Sequence, residues 1–201
     1  VGTVPVNSMN KGRAYGAEIL VQQKLNKNMY GILAYTFVRS EFQDYKGDYI
    51  PASWDYQHIL SVTAGKYLKK NWEIGARFRY NSGSPYTPYQ VAASMEKSNF
   101  DITGQGILDK QKLNSLRTES FHQLDVRVDK KYYFKKWSLN VYLDIQNLYN
   151  SKTTLSPYLS VQRDSDGNPT EDPSTPGSYT PNFIKNESGT VIPTIGLILE
   201  F

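Results

Sequence analysis

The sequence predicts an all-β protein: a transmembrane antiparallel β-barrel, of which seven long strands lie in this chain. Three observations carry that reading. Apolar and polar residues alternate at period two down the chain. The alternating runs reach about 12 to 14 residues, against a usual ~5–6 in globular sheets. The connections are short at one end of the strands and long at the other, as in outer-membrane barrels. Composition agrees. The 201 residues are 39% hydrophobic, the mean hydropathy is −0.56, and no apolar run approaches the ~18 residues of a membrane helix. The 16 Tyr outnumber the 8 Phe and 3 Trp together, and rings with polar tips suit a surface half in oil and half in water. The absence of Cys excludes disulfide scaffolds, thiol catalysis and sulfur-based zinc sites. The chain opens Val-Gly-Thr-Val-Pro, with no basic-then-apolar secretory segment.

Taken in order, residues 13–24 alternate loosely, and residues 29–42 are apolar on both faces, so their sides stay unassigned. Residues 57–68 again alternate loosely. Trp72, Ile74, Ala76, Phe78 and Tyr80 oppose Glu73, Gly75, Arg77 and Arg79. Leu124, Val126 and Val128 oppose Gln123, Asp125, Arg127 and Asp129. The clearest run, from Trp137, sets Leu139, Val141, Leu143 and Ile145 against Ser138, Asn140, Tyr142, Asp144 and Gln146. The last sets Val191, Ile195, Leu197, Leu199 and Phe201 against Thr194, Gly196 and Glu200, with Ile192 and Ile198 blurring the polar face. Twelve residues at ~3.3 Å each and a ~40° tilt rise roughly 30 Å, enough to cross a ~25 Å apolar band.

Short turns are expected at residues 25–28, 69–71 and 135–136, and long polar loops at about 43–56, 83–119 and 151–189. The short-turn rim is read as periplasmic. Aromatics gather there: Tyr30, Tyr67, Trp72, Tyr132, Tyr133, Phe134, Trp137 and Phe201. Phe42, Tyr80, Phe121 and Tyr149 form a second group near the other ends. Two such belts fit two membrane interfaces. The net charge of +4 has a place beside them, because lysines such as Lys24, Lys69, Lys130 and Lys136 can snorkel toward headgroups. Nucleic acid is not needed to explain it. An open sheet in lipid leaves edge groups unpaired, and bacterial single-chain barrels have even strand numbers. The expectation is therefore that further strands precede Val1.

At this point the residues resemble a known family. The run Gly12-Arg13-Ala14-Tyr15-Gly16-Ala17-Glu18 resembles a strand start of TonB-dependent outer-membrane transporters, particularly the Bacteroidetes type. Residues 51–58 (Pro-Ala-Ser-Trp-Asp-Tyr-Gln-His) and 81–88 (Asn-Ser-Gly-Ser-Pro-Tyr-Thr-Pro) are similar to further segments of it. Asp144-Ile145-Gln146-Asn147-Leu148-Tyr149-Asn150 resembles the penultimate-strand signature, with Tyr for the usual Phe. Residues 192–201 look like the closing strand, ending on Phe201, the aromatic that the barrel-assembly machinery reads. The resemblance covers essentially the whole chain. It implies that residues 1–201 are the C-terminal part of a 22-stranded barrel filled by an N-terminal plug, with plug and earlier strands outside this chain. It also implies the TonB–ExbB–ExbD complex as partner, outer-membrane lipid and lipopolysaccharide as surroundings, and in some relatives a surface lipoprotein.

Several constellations have a sharp and a plain reading. Glu73, Arg77 and Arg79 face Asp125, Arg127 and Asp129 on the expected neighbour strand, all pointing to the lumen. They are either a patch that holds the plug or guides an anionic substrate, or a cross-strand ion-pair ladder in a wet wall. Asp164-Ser165-Asp166-Gly167-Asn168 has some calcium-loop spacing, but Pro169 stands where such loops carry Gly and no Glu follows at the twelfth position; Asp-Gly is also a hairpin turn pair. His58 and His122 lie at outer strand ends without metal-ligand spacing and read as interfacial. Ser82-Gly83-Ser84 lacks the strand–turn–helix setting of a nucleophile elbow. No base–nucleophile pair is visible, so neither an enzyme nor a cofactor is expected. Trp54, Tyr56, Tyr86, Tyr89, Tyr158 and Tyr179 lie in or beside the long loops, where they could stack on a flat or sugar-like ligand or simply pack the loops.

The function that follows by resemblance is active uptake of a scarce nutrient: a ferric siderophore, haem, cobalamin, an oligosaccharide or a peptide. The alternatives are a passive or structural outer-membrane barrel without energy coupling, and a soluble carbohydrate-binding sandwich.

Overall fold

The computed structural model describes residues 10–201. In chain order the elements are β1 (Gly12–Asn26), β2 (Met29–Gln43), β3 (Tyr49–Pro51), β4 (His58–Leu68), β5 (Trp72–Asn81), β6 (Pro85–Tyr86), α1 (Val91–Met95), α2 (Lys97–Thr103), β7 (Leu116–Arg117), β8 (Phe121–Tyr133), β9 (Ser138–Gln146), β10 (Thr153–Val161), β11 (Pro181–Ser188) and β12 (Ile192–Glu200). Seven of these strands make one continuous antiparallel sheet in the order β1-β2-β4-β5-β8-β9-β12, and β3 folds back onto β2. All seven runs expected from alternation are strands. Among the described residues β1 and β12 do not pair with each other, so the barrel is not closed within this chain.

Strand length is less uniform than the alternation suggests. β1 and β2 have 15 residues each and β8 has 13, but β9 and β12 have only nine. The run from Trp137, which alternation carries on toward residue 150, ends as β9 at Gln146 because Asn147 takes the left-handed conformation, with φ of 54°. That turns the chain out of the ladder.

The register assigns the faces that the sequence left open in β2. Leu33 pairs with Val62, Val62 with Phe78 and Phe78 with Leu124, which continues one apolar row across four strands. In the next row Ile32 pairs with Thr63, Thr63 with Arg77 and Arg77 with Asp125. The aromatic belts need a correction. Tyr30 sits opposite Gly65, and Tyr67 opposite Glu73. Both lie on the polar face, where the Tyr30 hydroxyl donates to Glu73 Oε1 at 2.6 Å. Phe121 pairs with Asn81, in the same polar set. Alternation places a ring on a face only when the strand's register is known, and near the rims the sequence did not supply it.

The turns at the short rim are as tight as expected. Lys27 and Asn28 form a two-residue turn with φ of 49° and 65°, the positive values that a twisted hairpin requires. At the third turn the Phe134 N–H donates to the Trp137 carbonyl at 2.9 Å, and the two rings stack 4.0 Å apart.

The buried apolar cluster lies in the loops, not under the sheet. Met95, Phe100, Leu159 and Val161 form it, with Tyr89, Val91 and Tyr179 packed against them. It joins the β5–β8 loop to the β10–β11 hairpin. The helices α1 and α2 have five and seven residues, too few to show helical periodicity in sequence, and contacts with this cluster rather than propensity hold them. The apolar face of the sheet stays open: Ile195 is 77% exposed and Leu197 68%. So large a continuous exposed apolar surface calls for apolar surroundings.

Gly16 marks the tightest approach between strands. A Cβ there would sit 2.2 Å from the Phe37 carbonyl oxygen on β2, and backbone cannot step aside without parting the two strands. Gly16→Ala is expected to destabilise the protein by about 1–3 kcal/mol, read as a lower denaturant midpoint. Gly75→Ala, whose Cβ would meet nothing closer than 3.8 Å, is expected to leave the midpoint nearly unchanged. Equal effects from the two would refute this account.

Candidate functional site

The polar face of β5, β8 and β9 gathers the charges that alternation singled out. Register places Glu73 opposite Asp129, Gly75 opposite Arg127, Arg77 opposite Asp125 and Arg79 opposite Gln123. On the other side of β8, Asp144 faces Arg127 and Tyr142 faces Asp129. All six expected charges therefore share one surface, but they fall into two unlike groups.

The lower group is closed on itself. Arg127 donates twice to Asp129, at 2.9 and 2.8 Å, and lies 3.8 Å from the centre of the Tyr142 ring. Asn140 adds a bond to Asp129 at 2.8 Å, and Glu73 accepts from Tyr30. The ion pair itself runs along β8, two residues apart, and Asn140, Tyr142 and Tyr30 reach the group from other strands; each cross-strand contact of this kind contributes about 0.2–1 kcal/mol.

The upper group converges on Asp125, which is only 6% exposed. Arg77 donates to Oδ2 from Nε and Nη2, at 3.2 and 3.0 Å, and Arg79 donates to the same oxygen from Nη2 at 3.1 Å. Oδ1 accepts from Gln123 Nε2 at 2.6 Å and from the Asn147 backbone N–H at 3.0 Å. Five donors saturate one carboxylate, so burying it is offset by full hydrogen bonding. Asn147 explains part of the penultimate-strand signature. Its left-handed backbone aims the N–H at Asp125, while its side chain accepts from the Ser151 N–H and donates to the Ser151 and Thr190 carbonyls. One residue thus ends β9 and fixes the chain on both sides of the β10–β11 excursion.

Open clefts follow this face. One of about 260 Å³ is lined by Tyr30, Arg77, Asp125, Arg127 and Asp144 among others. Two more, of about 320 and 340 Å³, both include Arg79 and Thr153 and lie where the wall meets the loops.

A second charged centre in the loops went unrecognised in the sequence. Asp55 is fully buried. It accepts from the Ser40 N–H at 2.6 Å and from Arg117 Nη2 at 2.5 Å, and Arg39 Nε stands 3.4 Å away. Arg117 Nη1 also donates to the carbonyls of Asp55 and Gly83. Glu41 binds Arg13 at 2.6 Å and Arg39 at 2.9 Å. The cluster locks the β2–β4 loop to the β5–β8 loop and to the tops of β1 and β2. Asp55 stood within a quoted motif, but its partner Arg117 lies 62 residues away, and no local pattern joins them.

The six loop aromatics do not converge. Trp54 is 72% exposed and borders a cleft of about 500 Å³ near Arg13. Tyr56 lines the 340 Å³ cleft, Tyr86 lies in β6 opposite Leu116, and Tyr158 is exposed on β10. Tyr89 and Tyr179 pack against the loop core. The Tyr179 ring meets Phe100 edge-on at 6.1 Å, and its hydroxyl donates to Asp101 at 2.9 Å, which holds the phenol above its ordinary pKa. His58 and His122 each pair with a tyrosine hydroxyl at 2.8 Å, Tyr35 and Tyr149 respectively, in rows of the apolar face. Phe201 follows β12 and is 97% exposed. Asp164 Oδ1 accepts from the N–H groups of Asp166 and Asn168, at 3.0 and 2.8 Å, so the segment is the hairpin turn that Asp-Gly suggests.

A family model described as TonB dependent receptor-like, beta-barrel matches residues 1–148. A comparison with curated proteins finds no match.

Removing the Asp55 carboxylate leaves the arginines without their buried partner. Asp55→Ala is expected to cost about 3–5 kcal/mol and to expose residues 44–57 and 104–119 to protease before the wall strands are cut. Unchanged cleavage would count against the lock. Backbone N–H groups hold the Asp164 carboxyl below its ordinary value of 3.8. Its folded pKa is depressed, so its contribution is fully present above 3.8 and is lost as pH falls through the lower folded value. Amide exchange at Asp166 and Asn168 should therefore quicken only below the usual carboxylate range; quickening near neutral pH would contradict this.

Proposed function

The chain belongs to the family of TonB-dependent receptor β-barrels, which are outer-membrane transporters and not enzymes, and from that premise we propose that it forms wall and extracellular loops of an active importer for a scarce nutrient. The observation that carries the proposal is the division of one sheet into two unlike faces. On the apolar face, Trp72, Tyr132, Phe134 and Trp137 mark one level, while Tyr35, His58, Tyr80 and His122 mark the other. From Tyr132 to His122 along β8, ten steps at ~3.3 Å and a ~40° tilt give roughly 25 Å, the height of an outer-membrane apolar band. On this reading the seven strands each cross the membrane, lipid and lipopolysaccharide cover the apolar face, and Glu73, Arg77, Arg79, Asp125, Arg127 and Asp129 face the lumen.

The open edges at β1 and β12 support a place within a larger barrel, because unpaired N–H and C=O groups in hydrocarbon cost several kcal/mol each. We place residues 1–201 as the C-terminal part of that barrel, with a plug from the same protein against the polar face. TonB–ExbB–ExbD would supply energy to the plug, and Phe201 would serve as the signal for the assembly machinery. The loops, held by Asp55 and by the Met95–Val161 cluster, would capture cargo from a stable platform. A ferric siderophore, haem, cobalamin, an oligosaccharide or a peptide are all compatible with loops of this size, and a surface lipoprotein could cover them.

In cells carrying the full receptor, uptake of the cognate nutrient is expected to stop when TonB is deleted. Uptake that persists without TonB would indicate a passive channel instead. In bilayers containing brominated lipids, the fluorescence of Trp72 and Trp137 is expected to be strongly quenched and that of Trp54 spared; equal quenching, or none, would overturn the orientation of the faces.

A further inference from the structure

Charge is divided unevenly between the two ends of the strands. The three short turns carry Lys27, Lys69, Lys70, Lys135 and Lys136 and no acid, while in the three long connections taken together acids outnumber bases. Two further lysines stand on the apolar face beside the short rim. Lys66 lies in the row of Ile74 and Val128, and Lys130 in the row of Leu68 and Trp72. Lys130 Nζ donates to the Lys70 carbonyl, which brings its ammonium to the β4–β5 turn, 5.2 Å from the centre of the Trp72 ring. Four lysines, Lys66, Lys69, Lys70 and Lys130, thus surround one hairpin end.

No carboxylate on this side of the sheet offsets them. The acids nearest in the ladder are Glu73, Asp129 and Glu200, and parity puts all three on the polar face. There Glu73 accepts from Tyr30, Asp129 is held by Arg127 and Asn140, and Glu200 by Lys131 and Ser138. The chain beyond Glu200 lies three strands along the sheet from this hairpin. On the apolar face of the seven strands the one acid among the described residues is Glu41, at the far end, where Arg13 and Arg39 bind it. Among the described residues none of the four lysines takes part in an ion pair.

These cations border exposed Leu68, Trp72 and Ile74, so a partner that satisfies both halves of the surface joins an anionic head to an apolar tail. A soluble anion would leave the apolar residues bare, and a zwitterionic head would bring a further ammonium among four. We propose that Lys66, Lys69, Lys70 and Lys130 bind the headgroup of an anionic phospholipid in the inner leaflet of the outer membrane, a phosphodiester with no cation of its own, with an acyl chain along Leu68, Ile74 and Val128. Lys130 keeps two N–H donors beyond its bond to Lys70, and each lysine held near such a headgroup adds to the attraction. Trp72 stands at the level where an indole ring anchors in the interface. The site rests on the reading of the apolar face as lipid-facing and of the short rim as periplasmic.

The test is native mass spectrometry of the purified full-length receptor in detergent, titrated with phosphatidylglycerol. Phosphatidylethanolamine of the same acyl chains serves as the zwitterionic counterpart and glycerol 3-phosphate as the headgroup alone. The first phosphatidylglycerol is expected to bind roughly tenfold more tightly than the first phosphatidylethanolamine, and glycerol 3-phosphate not to bind at the same concentrations. The Lys66→Gln/Lys69→Gln/Lys70→Gln/Lys130→Gln protein is expected to lose roughly tenfold in phosphatidylglycerol affinity with phosphatidylethanolamine unaffected. Arg at the same four positions should keep the affinity. Lys46→Gln/Lys110→Gln/Lys112→Gln/Lys185→Gln, which removes equal charge from the loops, should bind like the unaltered receptor. An unchanged denaturant midpoint in the rim variant excludes misfolding as the cause. Full affinity in the rim variant, an equal loss in the loop variant, or equally tight binding of glycerol 3-phosphate would each overturn the proposal. Equal binding of the two lipids would defeat the site while leaving the membrane face standing. A receptor that binds neither lipid, with Trp72 unquenched in bilayers, would defeat the face as well.

Discussion

Lateral hydrogen bonding between strands is the constraint on which the rest of this molecule depends. A sheet whose apolar face has no layer packed over it gains little from its own packing, so the backbone ladder has to be complete. In hydrocarbon an unpaired N–H or C=O has no water to turn to. The register from β1 to β12 runs without a break except for one irregularity near Asn26 in β1. Once that ladder is set, period two does the rest: one set of side chains meets an apolar medium and the other meets water and charge.

The polar side then has to organise its own charges, and it does so in two ways. Lower down, Arg127, Asp129 and Asn140 neutralise each other locally. Higher up, Asp125 ties two arginines to the Asn147 turn. This couples wall to loop, because the residue that saturates the carboxylate is also the one that ends β9. The Asp55 cluster repeats the principle above it, with a buried carboxylate holding side chains that arrive from distant segments. Buried ion pairs of this kind are weak as net stabilisers but costly to half-remove, which suits loops that must keep one arrangement around an aqueous mouth.

Much of the wall was legible from residues alone. The seven strands, the three tight turns and the three long loops fall where alternation and turn chemistry place them, and the six charges on one face follow from parity within β5 and β8. The belts were less legible. Tyr30 and Tyr67 looked like interfacial rings but belong to the polar face, since parity in a strand apolar on both sides is ambiguous until a neighbour sets it. The loops were least legible. Their core of Met95, Phe100, Leu159 and Val161 is assembled from segments some 60 residues apart, with helices too short to announce themselves.

By itself, then, the sequence determined the periodicity, and with it an all-β wall with one greasy and one polar side, because alternation is a local property that a strand cannot hide. Tertiary structure alone decided which charges are satisfied and which are left over. Asp125 and Asp55 draw their partners from other strands and other loops, and the geometry of those meetings is set by register and chain reversal, which no stretch of neighbouring residues encodes. The meeting at Asp125 is of that second kind: two arginines and an aspartate can be read from the letters, but that both arginines share one oxygen of that carboxylate cannot.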